Sequence, residues 1–281
     1  MLCWTTVGNQ LREVAAGERF EFGKNWAAFL ARLDGEQIEN AVQSLQKMLG
    51  TKDLHGRSFL DAGSGSGLFS LAARRMGALV HSFDYDPDSV GCTRELKRRY
   101  FPEDPRWTVE EGSVLDSSYL NSLGTFDIVY SWGVLHHTGA MWQALDNVAP
   151  LVNPGGVLFI AIYNDQGTWS RRWKAVKKLY NRTPRGLRFL ILAPAFLKEY
   201  WRPMVKDFLR LRPFHFARNY EGKTRGMTLW RDLVDWVGGY PFEVATPGEL
   251  LDFFRARGFQ LEKLVTCGGS MGCNELVFRR N

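Results

Sequence analysis

Phe59-Leu60-Asp61-Ala62-Gly63-Ser64-Gly65-Ser66-Gly67 is a short apolar strand that breaks into a turn with glycine at every second position. The residues after it, Leu68–Arg75, read as a helix. A turn this sharp at the carboxyl end of a strand lets a ligand approach the backbone with no Cβ in the way, which only glycine allows at low cost. A dinucleotide loop is spaced G-x-G-x-x-G, and here the last position of that pattern is Leu68. Asp61, two residues ahead of Gly63, repels a pyrophosphate but suits a ligand carrying an ammonium or a sulfonium.

Working outward, a second apolar run, Ala78–Phe83, ends in Asp84, 23 residues after Asp61. That places a carboxylate at the tip of the next strand of a βαβ unit, where it can take both hydroxyls of a ribose. Asp84-Tyr85-Asp86-Pro87 also reads as a plain helix start with Asp86 as cap ahead of Pro87. Both readings hold together, because Asp86 can cap while Asp84 reaches the cleft. A third strand, Trp107–Glu110, leads to Glu111-Gly112-Ser113-Val114. A fourth, Phe126–Ser131, leads to Trp132-Gly133-Val134-Leu135-His136-His137, and Val152-Asn153-Pro154-Gly155-Gly156 turns a helix into a fifth strand, Val157–Tyr163.

In this order and at this spacing the pieces resemble the class I S-adenosylmethionine-dependent methyltransferases, with Phe59–Gly67 as their motif I. The resemblance implies a Rossmann-like α/β fold: a seven-stranded, mostly parallel sheet with helices on both faces and an antiparallel last strand. It implies S-adenosylmethionine as cofactor, held by Asp61, Gly63, Ser64, Gly65, Gly67, Asp84, Tyr85, Ser113, Val114 and Ser131. Ser113 is a departure, since the family often places an Asp there for the adenine edge; its hydroxyl can still bond the exocyclic amine. Relatives with the Val-Leu-His-His stretch include enzymes that methylate quinones and secondary metabolites.

The 281 residues are 45% hydrophobic and 23% charged, ordinary for a globular chain able to bury one large core plus an insertion. No apolar run approaches the roughly 20 residues that span a bilayer. Met1-Leu2-Cys3-Trp4 lacks a basic region followed by a long apolar stretch, so a cytoplasmic location is expected. Cys3, Cys92, Cys267 and Cys273 have no metal-ligand spacing and read as reduced thiols; no metal is expected.

Strands alternate with helices from about residue 58 to 163. Ahead of them, Glu36–Leu49 puts Ile38, Ala41, Val42, Leu45, Met48 and Leu49 at helical spacing, with Gly50 as its stop. After them, Thr246-Pro247 opens a helix through Arg255, followed by strands at Gln260–Val265 and Glu275–Arg279. The expected organisation is an N-terminal helical arm or flap (1–57), a cofactor-binding catalytic core (58–165 and 236–281) and a lid inserted after the fifth strand (166–235). The lid's charge is lopsided: 17 Lys and Arg against 5 Asp and Glu, a net of +12, whereas the rest of the chain carries −6. It also holds many aromatics, among them Trp169, Trp173, Tyr200, Phe214, Tyr220 and Trp230.

An insertion after the fifth strand hangs over the ligand edge of an open sheet, so the lid is the natural substrate reader. Its basic and aromatic residues suit an anionic or aromatic small molecule. The basic, apolar stretch around Leu187–Leu197 suits a peripheral membrane contact and a lipid-like acceptor. RNA is the less favoured partner for the same composition. The plain reading packs these helices on the core with their charges in water. Trp132, Tyr163, Asn164, Trp169 and Arg171 are the candidate acceptor contacts. Methyl transfer to a hydroxyl also requires a base. His136 and His137 lie just past the fourth strand, with an ordinary imidazole pKa near 6.5, and Asp165 is the alternative. Phe20–Trp26, aromatic around Gly23, reads as a flap over the cofactor, with Asn25 or Lys24 as polar contact, or as a staple for the arm.

Overall fold

The structure, a computed structural model, describes residues 6–212, 215–218, 229–269 and 272–281. Met1–Trp4, Phe214 and Tyr220, singled out above, lie outside the described residues. The helices are α1 (Thr6–Ala15), α2 (Phe22–Leu30), α3 (Gly35–Leu49), α4 (Leu68–Arg75), α5 (Pro87–Tyr100), α6 (Ser117–Leu123), α7 (Met141–Val148), α8 (Thr168–Arg182), α9 (Phe189–Leu209), α10 (His215–Arg218), α11 (Leu229–Gly238) and α12 (Pro247–Arg255). The strands are β1 (Ser58–Ala62), β2 (Leu79–Asp84), β3 (Trp107–Glu111), β4 (Phe126–Trp132), β5 (Val152–Tyr163), β6 (Phe259–Val265) and β7 (Cys273–Arg280).

β1 is central and apolar because helices cover the sheet on both faces, so residues pointing either way must be buried. The seven strands lie in the order β3-β2-β1-β4-β5-β7-β6. β7 runs antiparallel to both β5 and β6, and the other strands are parallel. The chain moves outward in opposite directions from β1 and β4, so the loops leaving these two strands diverge. Such a switch point opens a crevice at the carboxyl ends.

Local chemistry starts and stops the helices around that crevice. Asp34 and Gln37 form a capping box at the start of α3, and Gly50, at φ +68°, ends it. Asp86 caps α5 by accepting from Asp88 N–H, with Pro87 in the first turn. Two core layers flank the sheet. Phe83, Leu135, Leu158 and Phe254 meet on one face; Ile38, Leu45, Leu71 and Phe159 meet on the other. α3 is therefore built into the sheet's own core. A third cluster, with Phe20, Trp173, Tyr180, Leu233 and Phe242, joins the lid helices to the residues just before α12. α11 runs across the 235/236 division drawn from sequence.

The fifth strand differs most in length from its sequence reading, and the last runs from Cys273 to Arg280, longer at both ends than Glu275–Arg279. β5 begins at Val152 because Val152 pairs with Phe126, and a register shift absorbs the residues that read as a turn.

Candidate active site

β1 turns at Gly63, whose φ is +89° and where a Cβ would lie 2.4 Å from Val134 Cγ1. At Gly67, φ +80°, a Cβ would lie 2.8 Å from the Thr93 Cα. The loop therefore closes tightly against both the β4 and the α5 sides, and neither glycine has room for a side chain. Gly63 and Ser64 N–H both donate to the Phe83 carbonyl, at 2.9 and 3.0 Å, and Ser64 Oγ lies 2.9 Å from Thr93 Oγ1. At the tip of β2, Asp84 accepts from Gly65 N–H at 2.8 Å and from Asp86 N–H at 2.9 Å. Those two bonds aim its carboxylate into the crevice and leave each oxygen a lone pair for a diol. Burial is the main reason its pKa rises to about 6.

Asp61 lies deeper. It is 1% exposed and accepts from Ser70 Oγ, which meets Ser82 Oγ at 2.7 Å, and Trp107 Nε1 donates to that Ser82 oxygen. Burial raises its pKa to about 7. Across the crevice, Ser113 Oγ accepts from Leu115 N–H at 3.1 Å, keeping its own hydrogen available, and Asp116 caps α6. Val114 is in the core by side chain and accepts from Asn147 Nδ2 through its carbonyl.

The N-terminal arm closes the near side. Gly23 N–H donates to Asp86 at 2.9 Å, the Trp26 indole lies against Gly65, and Asn25 Nδ2 donates to Asp235 in α11. Lys24 pairs instead with Glu21. Arg19 stacks over Tyr85 at 4.8 Å, pairs with Glu13 and donates to the His137 carbonyl at 2.9 Å. Tyr85 O–H donates to Glu13 at 3.3 Å.

At the far end the two histidines separate. His136 is fully buried behind Tyr163, ring centroids 4.1 Å apart, and its Nδ1 accepts from Tyr163 N–H. His137 lines the crevice with Phe22 and Tyr163 around it, and its Nδ1 donates to the Pro241 carbonyl at 2.6 Å. That carbonyl can only accept, so the neutral ring carries its acceptor lone pair on Nε2. Burial drives the His137 pKa down to about 3, and that of His136 well below the ordinary value. The expectation of an imidazole titrating near neutrality is thus replaced by one held neutral.

Several candidates lie away from the crevice. Asp165 accepts from Gly167 N–H at the start of α8. Asn164 accepts from Asn274 at 3.0 Å. The Ser131 hydroxyl, fully buried, donates to the Ala62 carbonyl and ties β4 to β1. Trp169 is half exposed under Arg172 and Lys198, and Arg171 donates to Thr168 on the surface. Trp132 and Tyr163 do line the crevice, and Trp132 Nε1 donates to Glu275.

All of this surrounds one cavity of 1340 Å³ that runs from Ser113 past Asp84 to His137 and the lid. The lid reaches it through Glu199 and Tyr200 of α9 and Asp232, Asp235 and Trp236 of α11. Sequence reading named Tyr200 among the lid's aromatics but missed the other four, although acidic residues three apart beside a tryptophan stand out in a basic segment. Burial raises the Asp235 pKa to about 7. Lys177, fully buried, donates to the Trp236 carbonyl and packs 4.2 Å over the Trp236 ring. Burial lowers its pKa to about 7.

Comparison with known proteins bears on the family and the fold. Residues 33–204 match the family model described as a methyltransferase domain. Among curated proteins, the chain is similar to the ubiquinone biosynthesis O-methyltransferase of Rhizobium etli, 32% identical over 114 residues, 40% of this chain and 44% of that one. It is 27% identical over 136 residues to the same-named enzyme of Escherichia coli, covering 47% of this chain and 54% of that one. The chain thus spans about half the length of these relatives. Among solved structures, magnesium protoporphyrin IX methyltransferase of Synechocystis with bound S-adenosylhomocysteine superposes at a TM-score of 0.51, 15% identity, covering 88% of this chain and 83% of that one. The N-methyltransferase NodS of Bradyrhizobium japonicum does so at 0.51 and 16%, covering 92% and 98%. At these identities the superpositions bear on fold alone. The family model covers more than half of the chain, and on that ground, with the sheet order and the glycine loop beside it, this protein belongs to the methyltransferase-domain family.

Proposed function

We propose that the cavity binds S-adenosylmethionine and that the chain transfers its methyl group to an oxygen or nitrogen of a small-molecule acceptor. One observation carries the reading: a single cavity joins the Asp84 carboxylate, the glycine loop and Ser113 to a separate aromatic end at His137 and Tyr163. The residues fit the cofactor. Asp84 would take the ribose hydroxyls, the Ser113–Asp116 turn the adenine edge, and the acidic loop the ammonium end. When bound, S-adenosylmethionine supplies an electrophilic methyl carbon on a sulfonium. The chain's own work is positioning, which can be worth roughly 7–11 kcal/mol. For a hydroxyl acceptor, the Nε2 lone pair of His137 takes its proton, with the ring held by Pro241. Phe22, Trp26 and the lid exclude water.

A lipid-like acceptor met at a membrane surface draws on α9. Leu190, Leu197, Trp201, Met204, Val205 and Phe208 are exposed along one face at helical spacing, with Lys198, Arg202 and Lys206 beside them. Among the described residues no helix is long and apolar enough to cross a membrane. Thermal shift is the first test, because a ligand of the native state raises the melting temperature by mass action. S-adenosylhomocysteine is expected to raise it and NAD is not; the reverse result ends the proposal. Sedimentation with anionic liposomes tests the membrane reading. Retention on tRNA with a steep salt slope would favour RNA instead.

A further inference from the structure

The lid's charges are sorted. Among the described residues none of its Lys or Arg side chains lines the cavity, whereas Glu199, Asp232 and Asp235 all do. Among the described residues that line the cavity the one cation is Arg19, against the carboxylates of Glu13, Asp61, Asp84, Asp86 and Asp116 and those three. Arg19 is already paired with Glu13 and held by the His137 carbonyl. Lys177, whose charge acts on Asp235, points its ammonium at the Trp236 carbonyl and the Trp236 and Phe242 rings. His137 is neutral at physiological pH.

The same end is walled by aromatic rings. Tyr163 and Trp236 meet edge to face at 5.6 Å, and Tyr163 stands beside His137 at 5.5 Å. The Tyr163 ring is enclosed by His136, His137, Trp236 and Phe242. The residue lines the cavity. Asp235 and Asp232 line the same cavity as Tyr163; burial is the main reason the Tyr163 phenol's pKa is raised, with Cys273, Asp235 and Asp232 adding to it. Carboxylates and ring faces lining one space form a setting for a cation, since both attract positive charge and neither suits an anion.

We propose that the acceptor carries a protonated amine, bound at the lid end of the cavity by Asp235, Asp232 and Glu199 against Tyr163 and Trp236. The inference rests on the methyltransferase reading and narrows it. The basic lid does not draw in an anionic acceptor: among the described residues its cations lie off the cavity, and the acid it contributes lines it.

Three probes of one size and different charge test this by calorimetry on the full chain saturated with S-adenosylhomocysteine: tyramine, 4-ethylphenol and 3-(4-hydroxyphenyl)propionate. Tyramine is expected to bind at least tenfold more tightly than 4-ethylphenol, and the propionate most weakly. Asp235→Asn should remove most of that preference. The Asp232→Asn/Glu199→Gln pair, on more accessible positions, should remove part of it and guards against a folding defect in the first variant. Tyramine binding no tighter than 4-ethylphenol, or a preference unchanged in both variants, overturns the proposal. So does a result in which the variants change affinity for S-adenosylmethionine relative to S-adenosylhomocysteine but not for tyramine, since the carboxylates would then serve the cofactor's sulfonium. Failure of S-adenosylhomocysteine itself to bind would instead sink the underlying methyltransferase reading.

Discussion

The glycine loop and the lid face each other across one cavity and were built by different rules. In the loop, function follows from backbone geometry: Gly63 and Gly67 take left-handed φ values where a Cβ would strike Val134 or Thr93, and Asp84 is aimed by two adjacent N–H groups. Each constraint is set within a few residues or by the neighbouring strand. In the lid, composition and function point in opposite directions. A segment with a net charge of +12 presents carboxylates to the cavity, because helix packing decides which side of α9 and α11 faces inward. Motifs report on local geometry; net charge does not report on a site.

The sharpest way to break that contrast is at Gly63. Gly63→Ala adds a strained φ and a clash, each on the scale of 1–3 kcal/mol, so a loss of about 3 kcal/mol of stability is expected. A melting temperature within a degree of the parent would mean the loop is looser than its geometry implies. Next comes His137→Asn, expected to lower turnover of a hydroxyl acceptor about 10²-fold while leaving S-adenosylhomocysteine affinity unchanged. Because that imidazole stays neutral, turnover should show no imidazole inflection between pH 6 and 7.5. A full-rate variant would leave proton removal to water.

Asp84→Ala should weaken cofactor binding by about 1.5–3 kcal/mol in calorimetry, the scale for hydrogen bonds to a charged group. Unchanged affinity would move the ribose contact elsewhere. The same carboxylate predicts a pH effect. With its pKa at about 6, acidification protonates Asp84, so S-adenosylhomocysteine affinity should fall by about tenfold between pH 7 and 5. Asp84→Asn should flatten that dependence. The smallest effect belongs to the lid's outer face: reversing Arg171, Arg172 and Lys174 together should change cofactor and acceptor affinity less than about twofold, because none of them lines the cavity. A large loss would return the basic face to substrate reading.

What was readable in advance follows the same division. β1, α4, the Asp86 cap and the Asp84 position depend on periodicity and turn chemistry within a few residues, and they stand in the structure close to where sequence puts them. The start of β5 was not readable, because Asn153-Pro154-Gly155-Gly156 carries turn chemistry and only pairing with β4 makes it strand. The neutrality of His137 was hidden as well. It arises from Phe22, Tyr163 and Pro241, contributed by three separate segments. Asp232 and Asp235 went unnoticed because each is an ordinary helix residue until α11 is docked.

The crowding of titratable groups at the crevice moves the acidity that best suits the fold below neutrality. Asp61 and Asp84 are raised to about 7 and about 6, so they favour the folded state most when protonated, and that contribution is lost as pH climbs from about 4 through 7. His136 and His137 are depressed, so their burial is tolerated when neutral and penalises folding as pH falls below about 6.5. With Asp84 at about 6 and His137 at about 3, the two requirements are met together only on the acid side of neutrality, and at neutral pH Asp84 stands ionised in a buried site. A ligand that hydrogen-bonds to Asp84 as a carboxylate relieves the alkaline side of this conflict. Occupancy then acts as part of the fold, widening the range of acidity over which the chain stays intact.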